Sequence, residues 1–438
     1  VSINKDAQIL VRTTEVYRNM ALADPASIKD VGMLIMDEVH FMNDPERGTV
    51  WEESIIFSTD DVRFLALSAT IPNAHEFADW ISSIHNHDVH VVQYLKRAVP
   101  LSHFIYTGGN RIIPRKDISH YMNVKHGKPE YRSKRRRGGK GKKGKKKPKP
   151  PSHLAVLRIM QEKGLLPCLF FVFSRKDCES KALEVAYNLK LGEPDPKLQE
   201  IIEQHLSGQD MTEMESIRSL REVLGKGVAF HHAGMLPAAK RAVEEAFHHN
   251  LIKVLYATET FAVGINYPAR AVAFAGMRKY DGTHHRYMNS KEYFQMAGRA
   301  GRRGMDKEGT VICMIDQYSD DLGEIRDLTS ADRIPIFSQF QLSYNTVVNL
   351  LDKHRKNEIK AILENSFDSF RKKRKGKRFN VWTSWNNRVR TLRKYGYANG
   401  DNLTAKGLFT RRIFTEELLT TEIFNDRKWK NWDTVDIA

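Results

Sequence analysis

The chain has 438 residues, a length that suggests roughly three domains. Apolar residues make up 41% and charged residues 28%, an ordinary globular composition that excludes a disordered or fibrous chain. Three cysteines, Cys168, Cys178 and Cys313, are too few for a disulfide framework and too dispersed for a thiolate metal site, which points to a reducing, intracellular compartment, cytoplasmic or nuclear. The longest apolar run, residues 165–173, is about half of what a membrane-spanning helix requires. No basic stretch followed by an apolar one opens the chain, so neither a signal peptide nor a membrane association is expected.

The net charge is +17, from 70 Lys and Arg against 53 Asp and Glu. Residues 131–150 hold 12 basic residues and no acidic one, and residues 371–378 hold 7 more, so the rest of the chain is near neutral. Residues 132–151 hold no apolar residue to support a core, and their composition predicts a flexible, self-repelling tether. Two readings of it stay open. It attracts phosphate backbones without reading sequence, or it is a solvated spacer between domains; a nuclear-type address is a third.

In chain order, an apolar run over 31–36 ends abruptly in Asp37-Glu38, a second strand is predicted over 63–67 before Ser68-Ala69-Thr70, and helical spacing follows over 73–84. After the basic run, short buried strands are predicted at 169–173, 228–230, 253–257, 271–274 and 310–315, with helices at 176–189, 238–248 and 291–299 between some of them. Strands alternating with helices imply parallel sheets, in which ligands gather at the carboxyl ends of the strands. From about residue 323 the pattern turns mostly helical.

Two clusters carry chemistry. Asp37-Glu38-Val39-His40 places two carboxylates at a strand's carboxyl end, an arrangement suited to Mg²⁺-nucleotide hydrolysis: Asp37 holds the metal through its water shell and Glu38 orients the attacking water. Gln295 to Gly304 carries Arg299 and Arg302 three residues apart among Gly298, Gly301 and Gly304, with guanidiniums suited to the charge of a transferring phosphoryl group. Between them, residues 279–287 contain Asp281-Gly282, a hairpin turn signal.

Asp37-Glu-Val-His40, Ser68-Ala-Thr70 and Gln295 to Gly304, in this order, resemble the pattern of the DExH-box helicases of superfamily two. Longer stretches, 37–53, 67–74, 231–237, 257–266 and 338–345, resemble the superkiller-type RNA helicases, the group that includes the helicase cofactors of the RNA exosome. The resemblance covers nearly the whole chain outside the two basic runs. It implies an α/β fold of tandem RecA-like parallel-sheet domains, the first incomplete, then a mostly helical winged-helix and helical-bundle region. The boundaries it suggests are 1–107 for the first RecA-like part, 108–152 for the linker, 153–322 for the second RecA-like domain, 323–375 for the winged-helix-like region and 376–438 for the start of the bundle.

Carried over residue by residue, the resemblance implies that Thr14 and Glu15 track the nucleic-acid backbone, as do Ser174 and Arg175 and, further on, Thr258 and Glu259. Ser68 and Thr70 would couple nucleotide state to strand movement, and Gly264 and Asn266 would lie nearer the nucleotide. Gln295, Arg299 and Arg302 would reach the triphosphate, His40 would join the carboxylate pair to the second unit, and the hairpin at 279–287 would split strands. The implied activity is an ATP- and Mg²⁺-dependent helicase moving 3′ to 5′ from a single-stranded 3′ overhang of RNA and feeding RNA processing or decay, with an exoribonuclease complex as a possible partner. A DNA-repair helicase of the related archaeal type, for which DNA is the less expected substrate, and a non-catalytic RNA-binding scaffold are the alternatives.

The pattern is broken in two places. No Gly-x-x-x-x-Gly-Lys-[Ser/Thr] occurs, the loop that cradles phosphates, and the chain enters a mid-domain motif almost at once after Val1. The expectation is a polypeptide cut at its N-terminus, which as it stands hydrolyses ATP poorly. The long arch of the exosome-associated members is missing as well: residues 364–370 are followed only by the second basic run before the chain resumes at 388–397. The paired histidines at 231–232, 248–249 and 284–285 lack ligand spacing for a metal. Tryptophans 382, 385, 429 and 432 are expected to pack rather than to stack on bases.

Overall fold

A computed structural model describes residues 4, 7–109, 111–119, 151–193, 195–208, 213–262, 267–331, 334–377 and 381–426. The first basic run, Gly264, Asn266 and the tryptophans at 429 and 432 lie outside these. The chain divides into two compact units, Val1–Gln93 with Ile334–Ala438, and Tyr94–Arg333.

In the first unit, β1 (Met33–Met36) and β2 (Arg63–Ala66) pair in parallel, Met36 opposite Ala66. Both are short runs of apolar, largely β-compatible residues that stop where carboxylates or a Ser-Ala-Thr turn begin. The helix Gly48–Ile56 is buried on nearly every side, and its Trp51 and Ile55 pack with Phe77, Trp80 and Ile81 of the helix Ala74–Ile84. Ile336 and Phe367, from far along the chain, complete that core, and Trp80 donates its indole N–H to the Asn365 carbonyl at 2.7 Å. Two asparagines grip the returning chain by its backbone: Asn43 spans Pro335 O (2.8 Å) and Phe337 N (2.6 Å), and Asn73 spans both N and O of Ile336 (2.8 and 2.9 Å). The segment from 334 onward is thus built into the first unit, whereas the sequence reading set 323–375 apart as one region. The helix Leu322–Leu328 belongs instead to the second unit, where Leu322, Ile325 and Leu328 join the core.

The second unit is a seven-stranded sheet in the order β4-β3-β11-β8-β5-β7-β6. These are β3 (Leu101–Tyr106), β4 (Ile113–Pro114), β5 (Cys168–Phe171), β6 (Val228–His231), β7 (Val254–Ala257), β8 (Ala271–Phe274) and β11 (Gly309–Met314). All neighbours are parallel except β4, whose proline suits an edge. β5 to β8 and β11 are buried along their whole length, as strands of a covered parallel sheet must be. A hairpin of β9 (Arg278–Tyr280) and β10 (His285–Tyr287) forms where Asp281-Gly282 predicts it, Gly282 at φ +103°. The boundary at 107 differs from the structure: β3 pairs with β11 over six residues, Leu101 opposite Gly309, so residues 101–106 complete the second sheet.

Candidate functional site

In the first unit the strand ends are sewn together by backbone bonds, Leu67 N to Met36 O (2.8 Å) and Val39 N to Leu67 O (2.9 Å). This lays the Asp37–His40 turn beside Ser68. Glu38 takes a left-handed backbone, φ +50° and ψ +43°, a region that non-glycine residues seldom visit. The twist keeps Asp37 exposed, its Oδ1 accepting from the Glu38 N–H at 2.9 Å, and turns Glu38 toward His40. Nδ1 of the buried His40 lies 3.1 Å from Glu38 Oε2 and 3.1 Å from Ser68 Oγ. Asp37, Glu38, His40 and Ser68 therefore form one connected group, with Thr70 exposed two residues on.

Thr14 and Glu15 begin the helix Thr14–Ala23. Glu15 is taken up by Arg47, whose Nε donates to its Oε1 at 2.9 Å. Burial opposes ionisation of Glu15, but its own backbone N–H and Arg47 outweigh that and lower its pKa. One turn along, Arg18 bridges Glu53 at 2.9 Å inside the core, where Glu53 also accepts from Thr346 at 2.8 Å. These contacts were not legible in the sequence, because nothing local marks Glu53 as buried.

In the second unit the strand ends carry the remaining residues. Ser174 caps the helix Arg175–Asn188, its Oγ accepting from Asp177 N at 3.3 Å, with Arg175 exposed at the first position. Thr258 follows β7, its N–H donating to His231 O at 3.1 Å and its hydroxyl 3.1 Å from that of Thr260. Glu259, a carboxylate in a segment expected to meet phosphates, has its own counter-ion in Lys279, Nζ to Oε2 at 2.5 Å. His231 and His232 each turn to a glutamate, Glu244 and Glu179, at 2.9 Å. Among the described residues no cluster of three or more His, Cys, Asp or Glu side chains is arranged to hold a metal.

Gln295 lies on the helix Ser290–Ala297, but Arg299 and Arg302 do not. The sequence predicts a helix over residues 291–299. The helix in fact stops at Ala297, and the chain straightens to pair with the strand that leads into β8, Ala269 N to Arg299 O (2.9 Å) and Gly301 N to Ala269 O (2.8 Å). Gly301 at φ +88° makes the bend, and Gly309 lets the two backbones touch: a Cβ there would sit 2.5 Å from the carbonyl of Ala300. Arg299 donates to the Ala262 carbonyl. Arg302 forks onto Asp306 with Nε and Nη2 at 2.9 and 3.0 Å and reaches Asn250 at 3.2 Å. The hydrogen bonds from Arg302 hold the Asp306 carboxyl below its ordinary range. Arg97 supports the same turn from below, donating to Gly298 O (2.5 Å) and Val99 O (2.9 Å). Asp306, Asn250 and Arg97 were missed because their partners are set by the fold, not by spacing.

Comparison with known proteins agrees with this geometry. Residues 1–77 match the DEAD/DEAH box helicase family and residues 196–304 the helicase conserved C-terminal domain. The chain is 39% identical over 387 residues to the exosome RNA helicase MTR4 of Mus musculus, covering 84% of this chain and 36% of that protein. It is 38% identical over 374 residues to the ATP-dependent RNA helicase mtr4 of Schizosaccharomyces pombe, covering 80% of this chain and 33% of that protein. It is 35% identical over 392 residues to superkiller complex protein 2 of Homo sapiens, covering 84% and 31%. The chain spans about a third of the length of these relatives. Two helicase families matched in the expected order, on the two units that carry the Asp-Glu-Val-His and arginine turns, leave one assignment: the chain belongs to the superkiller-type DExH-box helicases of superfamily two.

Proposed function

We propose that this chain belongs to an ATP-dependent RNA helicase that moves 3′ to 5′ from a single-stranded 3′ overhang and delivers RNA to processing or decay, with an exoribonuclease complex as its partner. The observation that carries the reading is the connected group Asp37, Glu38, His40 and Ser68, in which an exposed carboxylate, a general-base carboxylate and a buried imidazole meet at one strand end. The names of the relatives, an exosome RNA helicase and an ATP-dependent RNA helicase, support RNA and ATP as substrates.

The chemistry of the donors fits one Mg²⁺ held by water and phosphate rather than by a protein cage: a single exposed carboxylate, Asp37, stands where the metal would be held. When bound, Mg²⁺ would neutralise charge on the phosphates. Glu38 then orients and deprotonates the attacking water, and its fixed contact with His40 keeps the carboxylate aimed. His40 passes the state of that carboxylate to Ser68, and so to the Ser-Ala-Thr turn and Thr70. Arg299 and Arg302, with Gln295, supply hydrogen bonds and positive charge to the triphosphate, Arg302 exchanging Asp306 for phosphate oxygens; Gly264 and Asn266 are assigned to the nucleotide by the same reading. Thr14, Glu15, Ser174, Arg175, Thr258 and Glu259 lie on the RNA side, where Ser174 and Glu259 act by ordering backbone and lysine rather than by touching phosphate. A reducing, intracellular setting accords with three free, buried cysteines.

The test is Mg-ATP hydrolysis by the whole protein, with and without single-stranded RNA, beside the Glu38→Gln variant. Turnover should rise with RNA and fall by about a hundredfold or more in the variant while ATP still binds. Equal stimulation by DNA of the same sequence would favour the DNA-repair alternative, since only the 2′-hydroxyl separates the two. RNA binding with no RNA-stimulated turnover would sink the helicase reading.

A further inference from the structure

The hairpin β9–β10 stands apart as a two-stranded ribbon, and a ribbon of three residues a side is marginal by itself. Its orientation must therefore come from what holds its base. Register places Lys279 directly opposite Arg286, so two cations share one face of the ribbon, an arrangement that repels. Glu292 resolves the conflict. Its carboxylate accepts from Lys279 Nζ at 2.9 Å and takes both guanidinium nitrogens of Arg286, Nη1 at 2.9 Å and Nη2 at 2.6 Å. Lys279 also reaches Glu259 at 2.5 Å, at the end of β7.

Glu292 is not a surface acid that happens to be near. It is the third residue of the helix Ser290–Ala297, in a capping box with Asn289: Glu292 Oε2 accepts from Asn289 N (2.8 Å) and Asn289 Oδ1 from Glu292 N (2.9 Å). Burial works against its charge, yet bonds from Arg286, Lys279 and the Asn289 N–H hold its carboxyl down at about 2, so the group stays ionised throughout the physiological range. Three residues later the same helix carries Gln295, and its end feeds the Arg299–Arg302 turn. One carboxylate thus joins the ribbon, the strand-end turn at Glu259 and the helix of the arginine motif.

We propose that Glu292, shared by Lys279 and Arg286, is a positioning residue that makes the hairpin and the helix leading into the Arg299–Arg302 turn move as one body, gearing strand separation to nucleotide turnover. The inference rests on the helicase reading above and adds to it how the two activities are tied. A rotation of the helix drags the ribbon with it, because two charge-assisted bonds of fixed fork geometry leave the Arg286 guanidinium no freedom to swing. Lys279 extends the tie to the turn that borders the RNA.

The experiment uses the whole protein with Glu292→Gln, Lys279→Met and the double variant. Glutamine is as acceptable as glutamate at the third position of a capping box, so Glu292→Gln removes the charge and leaves the helix start intact. The quantity read is base pairs opened per ATP hydrolysed on an RNA duplex with a 3′ overhang. Glu292→Gln should lower that ratio by about fivefold or more with RNA-stimulated hydrolysis within about twofold of the wild type, and Lys279→Met in the Glu292→Gln background should recover part of the loss by removing one of the two facing cations. An unchanged ratio, or hydrolysis and opening falling together in proportion, would overturn the proposal and leave Glu292 a helix cap only. Amide hydrogen exchange supplies an arm that needs no activity. Glu292→Gln should speed exchange across residues 278–287 and leave β5 to β8 unaffected; an unaltered hairpin overturns the inference. A wild type that opens no duplex but shows the exchange effect would count against the helicase function and not against the tie.

Discussion

Glu38 spends conformational energy at the position where the chemistry is assigned. A left-handed backbone on a non-glycine residue costs on the order of 1–3 kcal/mol, and the surrounding bonds from Leu67, Met36 and His40 hold it in place. Strain and function can be separated by substitution. Glu38→Gly relieves the backbone and removes the carboxylate, so it should melt no lower than the wild type and hydrolyse no ATP, as thermal denaturation and a turnover assay would show. A clear drop in melting temperature would mean that the Glu38–His40 contact stabilises more than the backbone costs. At the same scale, Arg302 is a reminder that a motif arginine is not idle before its ligand arrives. Its fork is already matched by Asp306, so under the proposed function phosphate would displace a carboxylate rather than fill open space. Lysine in place of Arg302 could not make that two-pronged exchange.

Among the elements, the helix Gly48–Ile56 holds two adjacent buried glutamates with different partners. Glu53 faces Arg18 and Thr346; Glu52 accepts from Ser338 and from the Phe367 N–H at 2.7 Å. Burial raises the Glu52 carboxyl to about 7, with hydrogen bonds from Phe367 and Ser338 only partly offsetting it and Glu53 adding repulsion. A folded value above the unfolded one, about 4.3, means that the folded state holds the proton more tightly, so this group's contribution falls as pH rises from about 4.3 to 7 and is level beyond. Glu52→Gln removes the dependence. The stability of the variant relative to wild type should therefore grow by about 2 kcal/mol between pH 5 and pH 8, measured by denaturant titration at each pH; a difference that stays flat would show that Glu52 is ionised at both. The sequence could not disclose this pair. Glu-Glu inside Val50-Trp51-Glu52-Glu53-Ser54-Ile55-Ile56 reads as a helix with a polar face, because the groups that make burial tolerable come from about 290 residues away. The same blindness hid β3. Leu101-Ser-His-Phe-Ile-Tyr106 is broken by polar residues, and only the fold reveals that His103 meets the Tyr293 hydroxyl at 2.6 Å and Ser102 meets Glu308 at 2.7 Å. The continuous apolar runs of β5, β7, β8 and β11, the Asp-Gly turn and the Asp37–His40 and Ser68–Thr70 segments were legible, since each is a local pattern with a local cause.

At the scale of the molecule, positive charge is concentrated in two short runs of the sequence. The 12 basic residues of 131–150 leave the rest close to neutral once the second run is set aside. That second run is partly spent on the first unit: Arg371 bridges Glu76 at 3.1 Å and Arg374 bridges Asp79 at 2.9 Å, fixing the helix Phe367–Arg374 against the helix Ala74–Ile84. The run at 131–150 is therefore the one to test for long-range attraction. Replacing its lysines and arginines by serine and glycine should weaken single-stranded RNA binding and flatten the log-log dependence on salt by about 3 if four phosphates are touched. An unchanged slope would identify the run as a solvated spacer.

The first unit is assembled from both ends of the described chain, with the whole of Tyr94–Arg333 intervening between Trp80 and the Phe367 that packs on it at 5.2 Å between ring centres. A ribosome releases the early half of that core long before its other half exists. At about 5–20 residues per second, Phe367 follows Trp80 by roughly 15–60 seconds. During that interval the second unit can fold by itself, while the helices Gly48–Ile56 and Ala74–Ile84 wait with two buried-to-be carboxylates and an uncovered tryptophan. The order of assembly is thus written into the connectivity: the unit inserted in the chain matures first, and the one whose segments flank it in sequence is completed last.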